Sequence, residues 1–251
     1  MGIKSIFGKV FKKKCDGCCM TNCKICQICG VVVISTIISL IVSNVVSASK
    51  VKSVINKDPK FIIEALQNME KNERQKSEEQ ARKKAPEIQQ KIVSESKSII
   101  GNKNASKNIV LFFDYNCGHC KREAVDIKKL IDNNDVKVAL VDLPILSENS
   151  YIAAQVAVYV ALNNNNKLAS FYELLNKKNA DKNGIKEVLQ SIGLPANYLE
   201  KAQKDESVRK IIQQNYDYAK SLGLQGTPAL IINGKFIGGA VPADELRNML
   251  G

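Results

Sequence analysis

The sequence predicts an α/β domain in which two strands are parallel. Residues 109–113 (IVLFF) form an apolar run typical of a strand buried on both faces, and residues 121–131 follow with a helical pattern. Residues 136–143 form a second apolar strand, so we expect a right-handed β-α-β unit. Further along, two short apolar runs flank Asn233-Gly234, which is a strong hairpin signal.

Helices fill most of the chain between the second strand and the hairpin. The apolar pattern predicts them over residues 151–162, 169–176, 184–192 and 207–222. Gly223 is suited to close the last of these helices. Together they form an insert over about residues 148–222, and the chain is expected to end with a helix over residues 242–250.

A long helix is predicted before this domain, with Asp58 as its N-cap and Pro59 at the first helical position. Its first turns carry one apolar face, formed by Phe61, Ile62, Ala65, Leu66 and Met69. Ten charged residues follow between positions 70 and 84, and Pro86 is expected to interrupt the helix before a weaker apolar stripe. We therefore interpret residues 49–104 either as a spacer or as an oligomerisation stalk.

An uncharged segment of 25 residues lies between Lys24 and Lys50. Residues 30–48 are rich in Val and Ile and long enough to span a bilayer, so they are predicted to be a transmembrane anchor or a signal peptide. Lysines ahead of the segment leave residues 1–29 in the cytoplasm and send the rest of the chain across the membrane. The expected location is a bacterial inner membrane facing the periplasm, or the periplasm itself after cleavage.

The N-terminal segment also holds six of the eight cysteines, which are Cys15, Cys18, Cys19, Cys23, Cys26 and Cys29. Their spacing is compatible with metal binding or with acylation beside the membrane, and the sequence does not decide their role. The net charge of +12 is spread along the chain without a basic stripe that contains aromatic residues, so no nucleic-acid site is predicted.

The remaining two cysteines, Cys117 and Cys120, lie at the predicted junction of strand and helix. A helix N-terminus provides free backbone N–H groups and about half a positive charge, both of which favour a thiolate. Thiols in such C-x-x-C motifs have pKa values of roughly 3.5 to 7, against about 8.5 for a free thiol. His119, the only histidine, adds a possible positive neighbour. The motif predicts thiol-disulfide exchange.

Two other interpretations of the motif remain open. A zinc site needs two further ligands, and from residue 30 onward the chain offers no other Cys or His outside the motif. A purely structural disulfide is possible, although it closes a very small loop and constrains the unfolded chain little.

The run FFDYNCGHCK, followed about a hundred residues later by Thr227-Pro228, resembles the DsbA-type branch of the thioredoxin superfamily, especially its Com1-like and ScsC-like members. The resemblance covers residues 59–251. It implies that residues 105–251 form a thioredoxin fold that contains the helical insert. It also implies protein-disulfide oxidoreductase activity and no organic cofactor. Similar N-terminal helices in ScsC-like proteins act as oligomerisation stalks.

The resemblance also implies roles for individual residues. Cys117 is expected to be the exposed attacking sulfur and Cys120 the buried resolving one, while His119 stabilises the Cys117 thiolate. Thr227 and Pro228 are expected to hold substrate backbone, with a cis peptide bond between them.

Three departures from the family pattern favour an intermediate redox poise. Leu111 replaces the acidic residue that usually precedes the two phenylalanines, so the carboxylate that relays the proton of the second cysteine is missing there, and Asp114 is a possible substitute. The dipeptide between the cysteines is Gly-His, as in protein disulfide isomerase, instead of the Pro-His of the enteric oxidase. Thr227 replaces the Val of that oxidase.

The predicted function is therefore the formation or rearrangement of disulfides in exported, cysteine-containing proteins, with a membrane or soluble thiol partner. An alternative within the enzyme class is an oligomeric isomerase or reductase. An alternative outside it is a redox-inert envelope or surface protein that keeps the fold.

Overall fold

The computed structural model describes residues 59–133 and 135–251. The predicted cytoplasmic segment, the apolar segment over residues 30–48, the six N-terminal cysteines and Asp58 lie outside these residues. Within them, no helix combines the length and the apolar character that a membrane span requires. Residues 59–69 belong to one compact unit and residues 70–251 to another.

The strands are β1 (Ile99–Gly101), β2 (Lys107–Phe113), β3 (Val136–Asp142), β4 (Ala229–Ile232) and β5 (Lys235–Gly238). The α-helices are α1 (Pro59–Glu95), α2 (Gly118–Ile131), α3 (Glu148–Asn163), α4 (Leu168–Asn176), α5 (Lys182–Ser191), α6 (Tyr198–Lys204), α7 (Glu206–Ser221) and α8 (Ala243–Leu250). A short 3-10 helix, Asn165–Lys167, links α3 to α4.

The strands form one mixed sheet in the order β1-β3-β2-β4-β5. β2 and β3 are parallel, as the β-α-β prediction requires, and the other neighbours are antiparallel. The predicted hairpin is confirmed, since β4 and β5 pair across Asn233 and Gly234, whose φ values are 51° and 76°. Both residues therefore adopt the left-handed conformation that a tight two-residue hairpin needs.

Alternate residues of the central strand face two different core layers. Ile109, Leu111 and Phe113 face the layer that also contains Cys117 and Cys120. The other face of β2 packs against α1 and the end of α7. Because both faces are covered, β2 is apolar throughout, as its sequence indicates.

The prediction that Pro86 interrupts the first helix is wrong, since α1 runs unbroken from Pro59 to Glu95. Proline removes one backbone hydrogen bond, but burial of the surrounding turns holds the helix together. Ala81, Ala85, Ile88 and Ile92 are all buried against the sheet layer that includes Val110 and Phe112.

The structure thus includes in the domain a part of the chain that the sequence analysis assigned to the linker. β1 lies in the same predicted linker and pairs with β3, from Ile99 opposite Ala139 to Gly101 opposite Lys137. The predicted helical insert is present, with one further short helix, α6, that the sequence analysis missed. By contrast, residues 59–69 carry exposed apolar side chains at Ile63, Leu66 and Met69.

Candidate active site

Cys117 occupies the N-cap position of α2, where β2 has ended and the helix begins. Its backbone N–H donates to the carbonyl oxygen of Asp114 at 3.0 Å, and its own carbonyl accepts from Lys121 at 3.0 Å. This turn sets the thiol beside the free N–H groups of the first helical turn, as the sequence predicts.

The thiol of Cys117 has a pKa below its ordinary value. Its burial raises the pKa, but hydrogen bonds from the backbone N–H of Cys120, from the Thr227 side chain, from the Cys120 thiol and from the backbone N–H of His119 lower it by more. When protonated, the thiol donates to the carbonyl oxygen of Thr227 at 3.2 Å. The site therefore favours a thiolate at Cys117.

Cys120 lies one turn into α2 and is only 1% exposed. Burial raises the pKa of its thiol to about 12. The structure holds both cysteines as free thiols. The two sulfurs are thus electronically distinct, since the pKa of the Cys117 thiol is lowered and that of the Cys120 thiol is raised.

The ring of His119 is exposed. Its Nδ1 lies 2.6 Å from Nη2 of Arg122, which donates a hydrogen bond to it. What His119 offers to the Cys117 thiolate in this structure is its backbone N–H. Arg122, which belongs to no motif in the sequence, therefore holds the imidazole at the exposed surface of the first helical turn.

Asp114, the possible substitute for the missing carboxylate, has another task. Its Oδ1 accepts from the backbone N–H of Asn116, and its Oδ2 accepts from those of Ile145 and Leu146. Asp114 thereby ties the active-site turn to the loop after β3. Leu111 is fully buried in the core layer that contains both cysteines.

Thr227 and Pro228 are joined by a cis peptide bond and lie beside Cys117, as the resemblance implies. They line an open groove of about 680 Å³ that also includes Phe236 and Gly238 of the edge strand β5. Three positive side chains and one negative side chain border the groove, namely Arg74, Arg82, Lys235 and Glu78.

Helix α1 holds the loop that leads to this groove. Ser77 Oγ donates to the carbonyl oxygen of Gly223 at 2.6 Å, and Gln80 Nε2 donates to that of Ser221 at 2.7 Å. The approach is so close that a Cβ at Gly223 would lie 2.7 Å from Ser77 Oγ. No motif indicates this contribution of α1, because the helix is remote from the cysteines along the chain.

The described residues contain no group of three or more His, Cys, Asp and Glu side chains arranged to hold a metal ion.

A family model described as thioredoxin matches residues 93–251, which is more than half of the chain. The chain belongs to the thioredoxin family. This family assignment agrees with the sheet order, the C-x-x-C motif at the start of α2 and the proline opposite it.

Similar proteins within the family indicate which reaction the chain catalyses. The chain is 24% identical over 165 residues to "Disulfide bond formation protein D" of Bacillus subtilis (strain 168), covering 61% of this chain and 74% of that protein. The crystal structure of the thiol-disulfide exchange protein α-DsbA2 from Wolbachia pipientis is 29% identical, with a TM-score of 0.63, covering 68% of this chain and 94% of that one.

ScsC of Proteus mirabilis in a compact conformation is 26% identical, with a TM-score of 0.60, and covers 80% of this chain and 94% of its own. These similarities extend from fold to activity. The protein is a DsbA-like protein-disulfide oxidoreductase of the thioredoxin superfamily.

Proposed function

We propose that this oxidoreductase forms or rearranges disulfides in exported proteins through the Cys117-Gly118-His119-Cys120 motif. The observation that supports the proposal best is the contrast between the two thiols. The pKa of Cys117 is lowered beside the groove, whereas burial raises that of Cys120 to about 12. An attacking sulfur and a resolving sulfur need this difference.

In the oxidising direction, a substrate thiolate attacks Cys117 Sγ of the Cys117–Cys120 disulfide. A bond forms between the substrate sulfur and Cys117 Sγ. The bond between Cys117 and Cys120 breaks, and Cys120 leaves as a thiolate that takes up a proton. A second substrate thiolate then attacks the substrate sulfur of the mixed disulfide, which releases the Cys117 thiolate. The substrate gains a disulfide, and its two electrons stay on the enzyme until the disulfide form of a membrane or soluble thiol redox partner reoxidises it.

The groove beside Thr227 and Pro228 is the proposed substrate-binding surface. The open edge of β5 borders it, and in this hairpin the backbone groups of Phe236 and Gly238 face away from β4. An extended substrate segment is able to hydrogen-bond to such an edge, with its cysteine presented to Cys117. The Gly-His dipeptide supports an intermediate poise between a strong oxidase and a reductase.

The proposed location follows from the N-terminal sequence. Residues 1–29 are assigned to the cytoplasm, residues 30–48 to an anchor or signal peptide, and the catalytic domain to the periplasmic side. In an oxidising compartment, the disulfides that the enzyme forms in newly exported proteins persist.

One observation favours an oligomeric isomerase as a second candidate. Ile63, Leu66 and Met69 are 55%, 54% and 60% exposed and follow one another at helical spacing, so they form an apolar stripe on α1. Isomerisation requires repeated attack on a held substrate, which several active sites around a shared cleft favour. Self-association through this stripe would provide that arrangement.

The proposal is tested by oxidative refolding of a reduced, cysteine-containing protein in a glutathione buffer, together with reduction of insulin. The intact chain is expected to accelerate both reactions, and Cys117→Ala is expected to accelerate neither. Val125→Ala is a matched control on the same helix, because this side chain is 55% exposed and both thiols stay in place. Equal activity of the intact chain and Cys117→Ala would indicate a redox-inert protein that keeps the fold.

A further inference from the structure

Buried polar atoms without a partner are concentrated beneath the active site. In the part of the chain that the structure describes, five buried side-chain atoms make no hydrogen bond, and they are Tyr115 Oη, Glu123 Oε1, Asp142 Oδ1, Tyr172 Oη and Asn176 Oδ1. Such atoms are rare in folded proteins because each one costs roughly 1–3 kcal/mol. Their concentration around one thiol pair calls for a functional explanation.

Glu123 is the member of this set on the active-site helix itself. It follows Cys120 by three residues, so the two side chains lie on the same face of α2, one turn apart. The carboxyl group is 0% exposed. Its Oε2 accepts a hydrogen bond from the backbone N–H of Val241 at 2.7 Å, which anchors it, while Oε1 stays free of partners.

Tyr172 is a buried residue close enough to both Glu123 and Cys120 to feel the charge of each. Burial raises the pKa of its hydroxyl well above the usual value, and the charges of Cys120, Glu123 and Asp142 raise it further. Tyr172 also stacks edge-to-face on Phe113 and lies near Tyr115, with ring centroids 5.2 Å and 6.3 Å apart respectively. Tyr172 is therefore a common buried neighbour of the resolving thiol and of the buried carboxylate.

We propose that Glu123 accepts and returns the proton of Cys120 during thiol-disulfide exchange. This carboxylate is a side chain of helix α2. The position on strand β2 where the family pattern has an acidic residue holds Leu111, which is buried in the same core layer as Cys120. This inference rests on the proposed function and assigns to it a proton-transfer residue that neither the motif nor its spacing indicates.

The step balances in both directions. When Cys120 resolves a mixed disulfide, its thiol proton passes to the Glu123 carboxylate, the thiolate attacks Cys117 Sγ, and the substrate leaves as a thiolate. When substrate opens the Cys117–Cys120 disulfide, Cys120 leaves as a thiolate and takes the proton back from the Glu123 carboxyl. No other oxidant or base is needed.

The proton affinity of Glu123 suits this task. Burial raises the pKa of its carboxyl to about 7, against the lowering effect of the Val241 N–H, and nearby Asp126 raises it too. A general base works best when its pKa lies near the working pH. The other buried titratable groups of this layer are Tyr115 and Tyr172, whose pKa values burial raises well above the usual value, and Asp142, whose pKa burial raises to about 8.

The test uses the reduced full chain, in which the six N-terminal cysteines are replaced by serine in every variant so that only Cys117 and Cys120 react. One equivalent of 5,5′-dithiobis(2-nitrobenzoate) is added, and its thiol product absorbs at visible wavelengths. Attack by Cys117 releases the first product molecule, and attack by Cys120 on the mixed disulfide releases the second. Glu123→Gln is expected to leave the first phase unchanged and to slow the second roughly 10²-fold. In the unsubstituted chain the second rate should rise with pH and level off above about pH 7.

Asp132→Asn is the matched control, because this carboxylate lies on the surface next to the C-terminus of α2, paired with Lys128. It should leave both phases unchanged, and Glu123→Asp should restore part of the second rate. An unchanged second phase in Glu123→Gln overturns the inference. If Glu123→Gln does not fold, a second-phase rate in the unsubstituted chain that keeps rising tenfold per pH unit up to pH 9 overturns it as well. Loss of the first phase in the unsubstituted chain instead contradicts the proposed function.

Discussion

The thiol of Cys117 lies 3.2 Å from the carbonyl oxygen of Thr227, although 110 residues separate the two along the chain. The turn before α2 and the loop before β4 meet here because β2 and β4 are neighbours in the sheet. The sulfur of Cys117 is thereby placed beside Thr227, which lines the proposed substrate groove.

Thr227→Val should raise the pKa of the Cys117 thiol by about one unit, because its side chain hydrogen-bonds to the thiolate. The reduced form then loses stability, so the disulfide becomes less oxidising by about 30 mV. This direction is opposite to the one that the resemblance to the enteric oxidase implies for this position. From the sequence, His119→Ala is also predicted to make the disulfide less oxidising. The exposed ring of His119 contacts Arg122, however, so we expect a smaller change in potential than for Thr227→Val. Thiolate absorbance at varied pH and equilibration with glutathione measure both quantities, and an unshifted pKa in Thr227→Val would contradict the assignment.

Ile92→Ala should lower the free energy of unfolding by about 2–5 kcal/mol, because the side chain is 4% exposed and packs on the sheet. Ile63→Ala is the matched control on the same helix, and its 55% exposure predicts a change within about 0.5 kcal/mol. Urea denaturation of both variants provides the comparison. Equal effects would mean that the second half of α1 is not part of the domain core.

The stability of the reduced protein should fall as pH rises from about 4.5 to about 7. Burial raises the pKa of Glu123 from 4.5 to about 7, so the folded state binds more protons than the unfolded state over this interval. The loss for this residue is up to about 3 kcal/mol and stays lost above pH 7. Glu123→Gln should therefore gain stability relative to the unsubstituted chain between pH 5 and pH 8 in urea titrations, and a constant difference would contradict the raised pKa.

Leu66→Asp should convert an assembly of the chain into monomers, if the exposed stripe of Ile63, Leu66 and Met69 is the self-association surface. Such monomers are expected to keep thiol oxidation and to lose isomerisation of scrambled substrates. Sedimentation in detergent measures the state of assembly, with Glu64→Gln on the same helix as the control. A chain that is monomeric at micromolar concentration without substitution would contradict the assembly proposal.

Much of the fold was predictable because its signals are local. The apolar run of β2, the Asn233-Gly234 hairpin and the helix start after Cys117 each depend on residues close together in sequence. The continuity of α1 through Pro86 was not predictable, since it depends on packing against strands that come later in the chain.

The same distinction applies to the site. Cys117, Cys120, Thr227 and Pro228 were found through motifs, and the structure brings them together. Glu123 has no motif, because on sequence alone it is one more charge among the polar residues of a helix. Only its complete burial and its free Oε1 distinguish it.

The most direct test of the central account is to trap the mixed disulfide. A Cys120→Ser chain, incubated with a reduced exported protein under mild oxidation and digested for mass spectrometry, should carry the substrate on Cys117. Cys117→Ser should carry none on Cys120, because Cys120 is buried and its thiol has a pKa of about 12. Adducts on Cys120 in Cys117→Ser, or none on Cys117 in Cys120→Ser, would contradict the assignment of Cys117 as the attacking sulfur.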